Sequence, residues 1–260
     1  MTKADLRAIK LLESLQLNKR LDVKTVAEDL SISEATVRRL FAKLEEEGKV
    51  IRVHGGVQLA PKLGFDYSYR VSALHRKREK SIIGNAAAKI VLNNERIFID
   101  SGTTALKFAE ALSLKLQAGE LKDLVVLTNS LTNIDTLANW CKVILIGGEI
   151  RIERRDVCGA IAEKNLTMFH VNRAFFGADA ISLKGGFMTT DERTSKMNEI
   201  IMAHAEHVYV LADSEKFDRS SFITYAEIQD VTAIYTDSGI DRAILDKYIT
   251  AGAPIEVIPS

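Results

Sequence analysis

The first 30 residues carry two short helical signals. A series of apolar side chains at helical spacing consists of Leu6, Ile9, Leu12 and Leu15. Residues three or four positions apart return to the same side of a helix, so this series predicts an amphipathic helix. Thr25 and Glu28 then form a capping-box pattern, which predicts a second, shorter helix that ends near Leu30.

A third helical series follows and leaves a small, basic outer face. Its apolar stripe consists of Val37, Leu40, Phe41 and Leu44. Ser33 precedes the stripe and is expected to cap the helix, because its hydroxyl oxygen can accept a free backbone N–H. At about 100° per residue, Ala35, Arg39 and Ala42 fall opposite the stripe. Two small residues beside an arginine would let this face approach a groove of DNA closely.

An alternating pattern replaces the helical one after residue 48. Residues 49–54 alternate apolar and polar side chains, and Gly55 and Gly56 are expected to supply the positive φ angles of a tight hairpin turn. Residues 57–59 would form the returning strand. Three helices and a hairpin predict a winged helix-turn-helix, an α+β fold. The alternative is a small helical subdomain with an ordinary solvated charged face.

The winged helix predicts which side chains contact DNA. A helix fits the major groove, which is roughly 12 Å wide, and a central arginine there can form two hydrogen bonds with guanine. We therefore expect Arg39 to read a base. The complete set of expected DNA-binding residues is Ser33, Ala35, Thr36, Arg38, Arg39, Lys43, Arg52 and His54.

From residue 96 onward, short apolar runs alternate with helical stretches. This alternation is typical of an α/β domain with a largely parallel sheet. The expected strands are residues 96–99, 124–127, 143–146, 173–177, 208–211, 233–235 and 255–258. Ligands of such sheets bind beyond the carboxyl ends of the strands, so a site is expected in the loops that follow them.

Those loops are rich in groups that bind anions and hydroxyls. The first runs from Asp100 to Thr104, where hydroxyls and the free N–H groups of the next helix would cradle a phosphate. By itself, an ordinary capped turn explains this loop equally well. The later loops add amide, carboxylate and lysine groups, a set that suits a polyhydroxylated ligand carrying phosphate. The expected ligand-binding residues are Asp100, Ser101, Gly102, Thr103, Thr104, Asn129, Ser130, Gly148, Asp179, Lys184 and Lys216.

Composition and charge narrow the class of protein. With 47% hydrophobic and 27% charged residues and no apolar run of about 18 residues, the chain is expected to be a cytoplasmic globular protein without membrane contact. Residues 1–80 hold 17 lysines and arginines against 11 acids, a net charge of +6, and the remainder carries −6. Only the N-terminal part thus favours a polyanion such as double-stranded DNA.

The middle of the chain marks the expected domain boundary. Pro61 and Gly64 interrupt both periodicities, so we expect residues 1–60 to form the DNA-binding domain, 61–78 a linker and 79–260 the ligand-sensing α/β domain. A basic run over residues 65–80 is predicted to lead into a helix that continues to Val91. Such a run is typical of a solvated face, and contact with DNA phosphates is the alternative.

Both halves of the chain resemble the DeoR-type transcriptional regulators of bacterial sugar metabolism. The resemblance rests on SEATVRRL and GKVIRVHGG near the start and, further on and in this order, FIDSGTT, LTNS, IGGE and ADSEKF. It implies a winged helix that represses a catabolic operon and a C-terminal domain that senses a phosphorylated sugar. One departure from the family's common pattern is Leu40, which stands where an aspartate usually follows the two arginines. Because paired recognition helices would read half-sites about one DNA turn apart, we expect a homodimer or homotetramer.

The second half also resembles ribose-5-phosphate isomerase, so a phosphosugar isomerase is the enzymatic alternative. The matching segments are residues 101–104, 176–179 and 184–186, followed by Lys216. However, Phe176 stands in place of an aspartate, and Asn198 falls where the catalytic base would lie, although Glu192 and Glu199 are near. An amide cannot accept a proton near neutral pH. We therefore expect an isomerase-like fold that acts as a receptor and has no catalytic residues.

No cofactor is expected from the sequence. Cys141 and Cys158 have no CxxC spacing, which argues against a disulfide scaffold or a thiolate metal site. A helix is predicted from residue 193 to about residue 206. His204 and His207 lie three positions apart at its end, but no carboxylate accompanies them at a metal-binding spacing. The expected partners are therefore operator DNA, a phosphorylated sugar effector and further copies of the chain.

Overall fold

The computed structural model describes residues 3–18, 20–47, 49–53, 55–59 and 69–259. These residues form two compact units that divide between His75 and Arg76. The first unit consists of α1 (Lys3–Asn18), β1 (Arg20–Asp22), α2 (Val23–Asp29), α3 (Glu34–Glu46), β2 (Val50–Val53), β3 (Gly56–Leu59) and α4 (Tyr69–Leu74). Its strands form an antiparallel sheet in the order β1-β3-β2. The predicted winged helix-turn-helix is confirmed.

The apolar stripe of α3 forms the centre of the first unit's core. Val37, Phe41 and Leu44 are at most 1% exposed, and Leu40 packs against the edge of this core. Full burial of one such side chain contributes about 2 kcal/mol, which outweighs the modest helix propensity of the β-branched and aromatic residues in the stripe. The predicted register of α3 is therefore confirmed.

The predicted apolar face of α1 was partly wrong. Leu6 and Ile9 are 45% and 36% exposed, whereas Leu11 and Leu15 are buried. A series with a uniform step of three residues drifts around a helix that has 3.6 residues per turn. The observed stripe of Ala8, Leu11, Leu12 and Leu15 follows the helical period more closely and so faces the core.

The starts of α2 and of the wing also differ from the prediction. α2 begins two residues before Thr25, because Asp22 is the cap: its carboxylate accepts the Thr25 N–H at 2.9 Å and the Thr25 hydroxyl at 2.8 Å. In the hairpin, Gly55 alone of the glycine pair has a positive φ, of 79°. Gly56 is required by close approach instead, since a Cβ there would lie 2.0 Å from the carbonyl oxygen of Leu21 in β1.

The second unit is built around one large sheet. Its elements are α5 (Lys77–Ala87), β4 (Arg96–Ile99), α6 (Thr103–Gln117), β5 (Val125–Thr128), α7 (Leu131–Leu137), β6 (Lys142–Leu145), β7 (Glu149–Arg151), β8 (Asp156–Cys158), α8 (Ala160–Leu166), β9 (Val171–Phe176), β10 (Ala180–Ser182), β11 (Gly186–Thr189), α9 (Glu192–Met202), β12 (Ala205–Leu211), β13 (Ile223–Ala226), β14 (Ala233–Asp237), α10 (Arg242–Thr250) and β15 (Ile255–Ile258). Short 3₁₀ turns lie at Ser214–Lys216 and Ile228–Asp230.

All seven predicted strands enter that sheet. They are parallel throughout and follow the order β15-β14-β12-β9-β4-β5-β6. Successive side chains of β4 point to opposite faces: Ile97 and Ile99 join one apolar cluster and Phe98 joins the other. The α/β class with a largely parallel sheet is confirmed. Because the strands are parallel, the loops after them meet at one edge, called the carboxyl edge below.

Two small sheets and two helix ends were not predicted correctly. β7 pairs with β8, and β10, β11 and β13 form a second antiparallel sheet. The helix predicted to continue to Val91 ends early, because α5 runs only from Lys77 to Ala87. Arg76, which separates α5 from α4, has left-handed angles of φ 50° and ψ 42°. The helix predicted over residues 193–206 ends at Met202, so His204 lies in a turn and His207 in β12.

Candidate functional sites

The outer face of α3 is presented as the sequence predicts. Ser33 caps the helix, accepting the Thr36 N–H at 3.3 Å, and the two hydroxyls lie 2.9 Å apart. Most of the predicted DNA-binding side chains of the first unit are exposed; they are Ser33, Ala35, Arg38, Arg39, Lys43 and Arg52. Thr36 is half-buried, and His54 lies outside the described residues.

The basic residues of this face differ in how far nearby carboxylates compensate their charge. Arg38 lies 3.4 Å from Glu34, Lys43 lies 3.8 Å from Glu47, and Arg52 lies 3.8 Å from Glu45. The side chain of Arg39 makes no ion pair or hydrogen bond with any residue that the structure describes. These surface pairs are weak and exchange readily with a phosphate partner. Arg39 therefore presents the least compensated positive charge on α3.

In the second unit, the loop from Asp100 to Thr104 joins β4 to α6 at the carboxyl edge. Gly102 is the N-cap residue of α6, and no side chain caps the helix there. The Cα of Gly177, which follows the neighbouring strand β9, lies close to the position that a Cβ on Gly102 would occupy, at 3.7 Å. The first N–H groups of a helix carry a partial positive charge. This arrangement leaves them available to an anion.

Asp100 is the buried acid of this loop and is only 5% exposed. Burial raises the pKa of its carboxyl to about 6, with nearby Asp156 and Asp179 adding to the rise against hydrogen bonds from the backbone of Ser101 and Gly177. The Gly177 N–H donates to Asp100 Oδ2 at 3.3 Å. Because this pKa lies close to neutral pH, the carboxyl group can accept a hydrogen bond from a ligand hydroxyl when it is ionised and donate one when it is protonated.

A buried ion-pair network supports the same loop and was missed in the sequence. Ser101 donates a hydrogen bond to Asp156 at 3.2 Å, and Asp156 accepts two from Arg151, at 2.8 and 2.7 Å. Arg151 also donates to Asp191 and, at 2.9 Å, to Thr194 at the start of α9. The network thus fixes Ser101 against β7, β8 and α9. Sequence reasoning had no signal for it, because the pairing arises only when distant segments pack together.

Three predicted ligand residues on neighbouring loops have contacts within the fold. Ser130 is fully buried and caps α7 by accepting the Asn133 N–H at 3.3 Å. Gly148 allows close packing, since a Cβ there would lie 2.6 Å from the carbonyl oxygen of Cys158. Asn129 donates to the Val157 carbonyl at 3.5 Å, and among the residues that the structure describes none donates a hydrogen bond to its buried Oδ1 atom. Asn129 Oδ1 is therefore a buried acceptor without a partner among the described residues.

Asp179 and Lys184 lie at opposite ends of the hairpin formed by β10 and β11. Asp179 precedes β10, and its Oδ2 accepts hydrogen bonds from the Thr189 hydroxyl and from the backbone and hydroxyl of Thr190, at 2.9 to 3.2 Å. Lys184 is exposed in the turn between the two strands. Of this pair, only Asp179 lies near Asp100, whose pKa its charge helps to raise.

The loop after β12 contains Lys216, and two basic residues at the start of α5 that were not predicted, Arg76 and Lys80, lie beside it. Lys216 is the last residue of the 3₁₀ turn. Asp213 caps this turn, because its carboxylate accepts the Glu215 N–H at 3.2 Å. Arg76 reaches this turn and donates to Ser214 at 3.0 Å. Lys80, one turn further along α5, is 4% exposed, and the charges of Asp213 and Lys216 both act on it. Both residues were visible in the basic run over residues 65–80, which gave no sign that they would be buried.

The residues that mark the departure from an isomerase are buried. Phe176 is inaccessible to solvent and packs against the rings of Phe98 and Tyr225. Asn198 lies on the inner side of α9 at 3% exposure, and Glu192 and Glu199 on the same helix are exposed. The position on α9 where the sequence comparison places the isomerase base is therefore a buried amide, and the two carboxylates on the same helix are exposed.

Other features lie apart from the carboxyl edge. A cavity of about 670 Å³ opens at the opposite edge, beside the start of β5 and β6, and is lined by Trp140, Cys141 and Lys142 among others. None of the predicted site residues lines it. Over the described part of the chain, no group of three or more metal-ligating side chains is placed to hold an ion. Nor does that part contain a helix long and apolar enough to cross a membrane.

Comparison with known proteins assigns both units to one family. Residues 7–62 match the DeoR-like helix-turn-helix domain, and residues 75–238 match the DeoR C terminal sensor domain. The chain is 28% identical over 242 residues to the HTH-type transcriptional repressor GlcR of Bacillus subtilis, which covers 92% of this chain and 91% of that protein. It is also 28% identical over 229 residues to the lactose phosphotransferase system repressor of Staphylococcus epidermidis, which covers 85% and 88%.

Solved structures with a similar fold include ribose 5-phosphate isomerase A of Methanocaldococcus jannaschii. The TM-score is 0.41, the sequence identity is 18%, and the match spans about half of each chain, 54% in both cases. A winged helix followed by a parallel α/β unit is the architecture of a DNA-binding regulator with a separate second domain. The chain belongs to the DeoR family and is a helix-turn-helix transcriptional regulator with a C-terminal sensor domain.

Proposed function

We propose that this regulator represses a sugar-catabolism operon and that a phosphorylated sugar bound at the carboxyl edge of the second unit releases it from DNA. The observation that carries the proposal is the uncapped start of α6 beside the buried Asp100. An anion and a hydroxyl-bearing carbon chain need different partners, and this edge offers both. The relatives named as repressors of sugar systems support the same assignment.

On the DNA side, we propose that α3 lies in the major groove with Arg39 at its centre. Ser33, Thr36, Arg38 and Lys43 would contact phosphates or flanking bases, and Arg52 of the wing would contact the backbone. The free charge of Arg39 supports this role, because a guanidinium that is already paired would first lose its partner. Each wing and recognition helix covers one half-site, so the functional form would be a homodimer or homotetramer.

On the ligand side, we propose that the phosphate lies against the first turn of α6. Gly102 would admit it closely, and the hydroxyls of Ser101, Thr103 and Thr104 would join the backbone N–H groups around it. Asp100, Asn129 and Asp179 would face the sugar hydroxyls, with Lys216 on the β12 side. The remaining predicted residues are not assigned a ligand contact. Ser130 and Gly148 stabilise the loops in which they lie, and Lys184 lies in a hairpin turn.

Release from DNA requires that the sugar phosphate bind one arrangement of the oligomer more tightly than another. A ligand with equal affinity for both arrangements would shift nothing. We propose that it favours the arrangement that does not fit the operator, which gives induction. A coupling of this kind is typically worth about 1 to 3 kcal/mol, or about 5- to 150-fold in DNA affinity.

Two measurements on the purified chain test this proposal together. A gel-shift titration with DNA from its own upstream region is expected to show specific binding, and a thermal-shift screen of sugar phosphates is expected to identify a stabilising compound. That compound is then expected to weaken the gel shift. A chain that binds no upstream DNA, or whose DNA binding ignores every stabilising sugar phosphate, contradicts the proposal.

A further inference from the structure

Two histidines lie side by side at the edge of the large sheet opposite the carboxyl edge. His170 directly precedes β9, and His204 directly precedes β12. These strands are parallel neighbours in a register that pairs Val171 with Ala205, and the Val171 N–H donates to the His204 carbonyl at 3.0 Å. The register brings the two imidazole rings together, with their centroids 4.9 Å apart and their planes inclined at 51°. Two segments that are distant in the sequence thus form one pair of metal-ligating side chains.

The hydrogen bond of the His204 ring fixes which of its nitrogens can bind an ion. Nδ1 lies 2.8 Å from the carbonyl oxygen of Ile200 in the last turn of α9. Because a carbonyl oxygen can only accept, Nδ1 carries the proton, and Nε2 of the neutral ring keeps a free lone pair. Metal-binding histidines are typically oriented in this way, by donating their other ring N–H to a backbone carbonyl or a carboxylate. His204 is therefore held in the form that a metal ligand requires.

The separation of the two rings matches the separation that a shared ion requires. Zinc lies about 2.1 Å from an imidazole nitrogen and the ring centre roughly 1.2 Å further, so two histidines that share a tetrahedral ion have centroids about 5 Å apart. The observed value is 4.9 Å. The ring of His170 makes no hydrogen bond or ion pair with any residue that the structure describes, so its nitrogens need not leave a partner.

The surroundings of the pair admit an ion from solvent. His170 is exposed and His204 is half-buried. Over the described ranges of the chain, no third ligating side chain joins them, so the protein supplies two ligands and water completes the coordination. Imidazole nitrogen suits zinc, copper and nickel, whereas magnesium and calcium require oxygen ligands. The chemistry of the pair therefore selects a divalent transition metal.

We propose that His170 and His204 form a two-histidine binding site for a divalent transition-metal ion such as zinc. The bound ion cross-links the amino ends of β9 and β12, two interior strands of the seven-stranded sheet. Because both ligands are in place only in the folded chain, binding raises the stability of the second unit. The site lies away from the loops of the carboxyl edge, so it does not depend on the proposed sugar phosphate.

Zinc chloride is the probe, titrated into the full chain by calorimetry in a buffer that does not bind metals. The variants are His170→Asn, His204→Asn and the double substitution, and His207→Asn, at an exposed histidine of β12, is the matched control. His204→Asn also removes the hydrogen bond to Ile200 and can change stability by itself. A second readout is therefore the rise in melting temperature that zinc causes within each variant, with magnesium chloride as the control salt.

The wild type and His207→Asn are expected to bind one zinc ion per chain with equal affinity and to give no response to magnesium. His170→Asn and His204→Asn are each expected to weaken zinc binding by at least about tenfold, because a chelate is lost when either ligand is removed. The double variant is expected to be little weaker than either single one. Small and additive losses would show two independent surface imidazoles and overturn the proposal, as would a wild type that binds no zinc or an equal loss in His207→Asn.

Discussion

Arg76 donates a hydrogen bond to Asp237 at 2.9 Å and so joins the first residue of the second unit to the carboxyl end of β14. The same guanidinium lies 3.6 Å from Asp213, which follows β12. Burial opposes the charge of Arg76, but Asp237 and Asp213 outweigh it and hold the pKa of the guanidinium above its ordinary value. The left-handed backbone at Arg76 aims its side chain across the two loops.

Replacement of Arg76 tests what this contact contributes. Arg76→Ala leaves the buried carboxylate of Asp237 without its cation and removes one of the cations beside Asp213, so the free energy of unfolding is expected to fall by about 3 kcal/mol. Arg76→Gly removes the same contacts but relieves the left-handed backbone, and it is expected to be about 1 kcal/mol more stable than Arg76→Ala. Urea denaturation measures both differences.

The control for this pair is Arg242→Ala, because Arg242 is 85% exposed and pairs only within α10. Its free energy of unfolding is expected to change by less than about 0.5 kcal/mol. If Arg76→Ala destabilises the chain no more than Arg242→Ala does, the contact has no structural role.

Arg39 is expected to determine operator preference. Arg39→Ala removes the paired hydrogen bonds to guanine, which costs about 1 to 3 kcal/mol, or about 5- to 150-fold in affinity for the operator. Weak binding to unrelated DNA is expected to remain, because it depends on the other basic residues. Fluorescence anisotropy with operator and scrambled duplexes measures the ratio. An unchanged ratio in this variant, with Arg242→Ala as reference, would show that another residue reads the bases.

The ionised carboxylate of Asp100 is expected to lower the stability of the fold and to contribute to ligand binding. Its pKa of about 6 in the folded protein exceeds the unfolded value of about 3.9, so the folded chain binds an extra proton between these pH values. Stability therefore falls as the pH rises through this window, and the loss is complete above about pH 6. Asp100→Asn is expected to be more stable than the wild type by about 1 to 2 kcal/mol at pH 7.5, an advantage that disappears below about pH 4.

The same variant is expected to bind DNA normally but to respond poorly to the sugar phosphate, because an amide cannot accept hydrogen bonds as a carboxylate does. Asp135→Asn, at an exposed position on α7, is the control for both measurements. Thermal unfolding across the pH range and a DNA-release titration provide the data. If Asp100→Asn is less stable than the wild type at pH 7.5, burial does not destabilise the ionised form of this carboxyl.

No isomerase activity is expected, for two reasons. Asn198 occupies the position on α9 where the isomerase base is expected, and Phe176 replaces the first aspartate of the isomerase pattern. Without a base to move a proton between adjacent carbons, the sugar phosphate stays unchanged. A coupled assay for conversion of ribose 5-phosphate checks this prediction. Turnover that is lost in Asn198→Ala would mean that the edge is still a catalytic site.

The parts of the fold that were predictable are those fixed by local patterns. The stripe of Val37, Phe41 and Leu44 identified α3, and short apolar runs identified all seven strands of the parallel sheet. The central strands leave continuous apolar runs because they are buried on both faces. Ser33 was recognisable as a cap because a hydroxyl before a helical stripe has a specific hydrogen-bonding role.

The parts that were not predictable depend on packing between distant segments. The cap of α2 is Asp22 and not Thr25, because β1 ends at Asp22 and the helix begins directly after it. A strand of three residues is too short to leave a recognisable pattern in the sequence. In the basic run, a lysine that is solvated and a lysine that is buried look alike. Lys80 is buried because α5 packs against α6 and against strands that lie more than 120 residues further on. For the candidate site, the sequence indicated the loops, and the structure added the residues that reach them from elsewhere.

The central claim is that a sugar phosphate at the carboxyl edge and operator DNA at α3 affect each other's binding. The most direct test is to measure the affinity for the stabilising sugar phosphate by calorimetry, with and without saturating operator DNA. Linkage requires that DNA weaken ligand binding by the same factor by which the ligand weakens DNA binding, expected to lie between about 5- and 150-fold. Equal affinity for the ligand in the presence and absence of the operator would contradict the account.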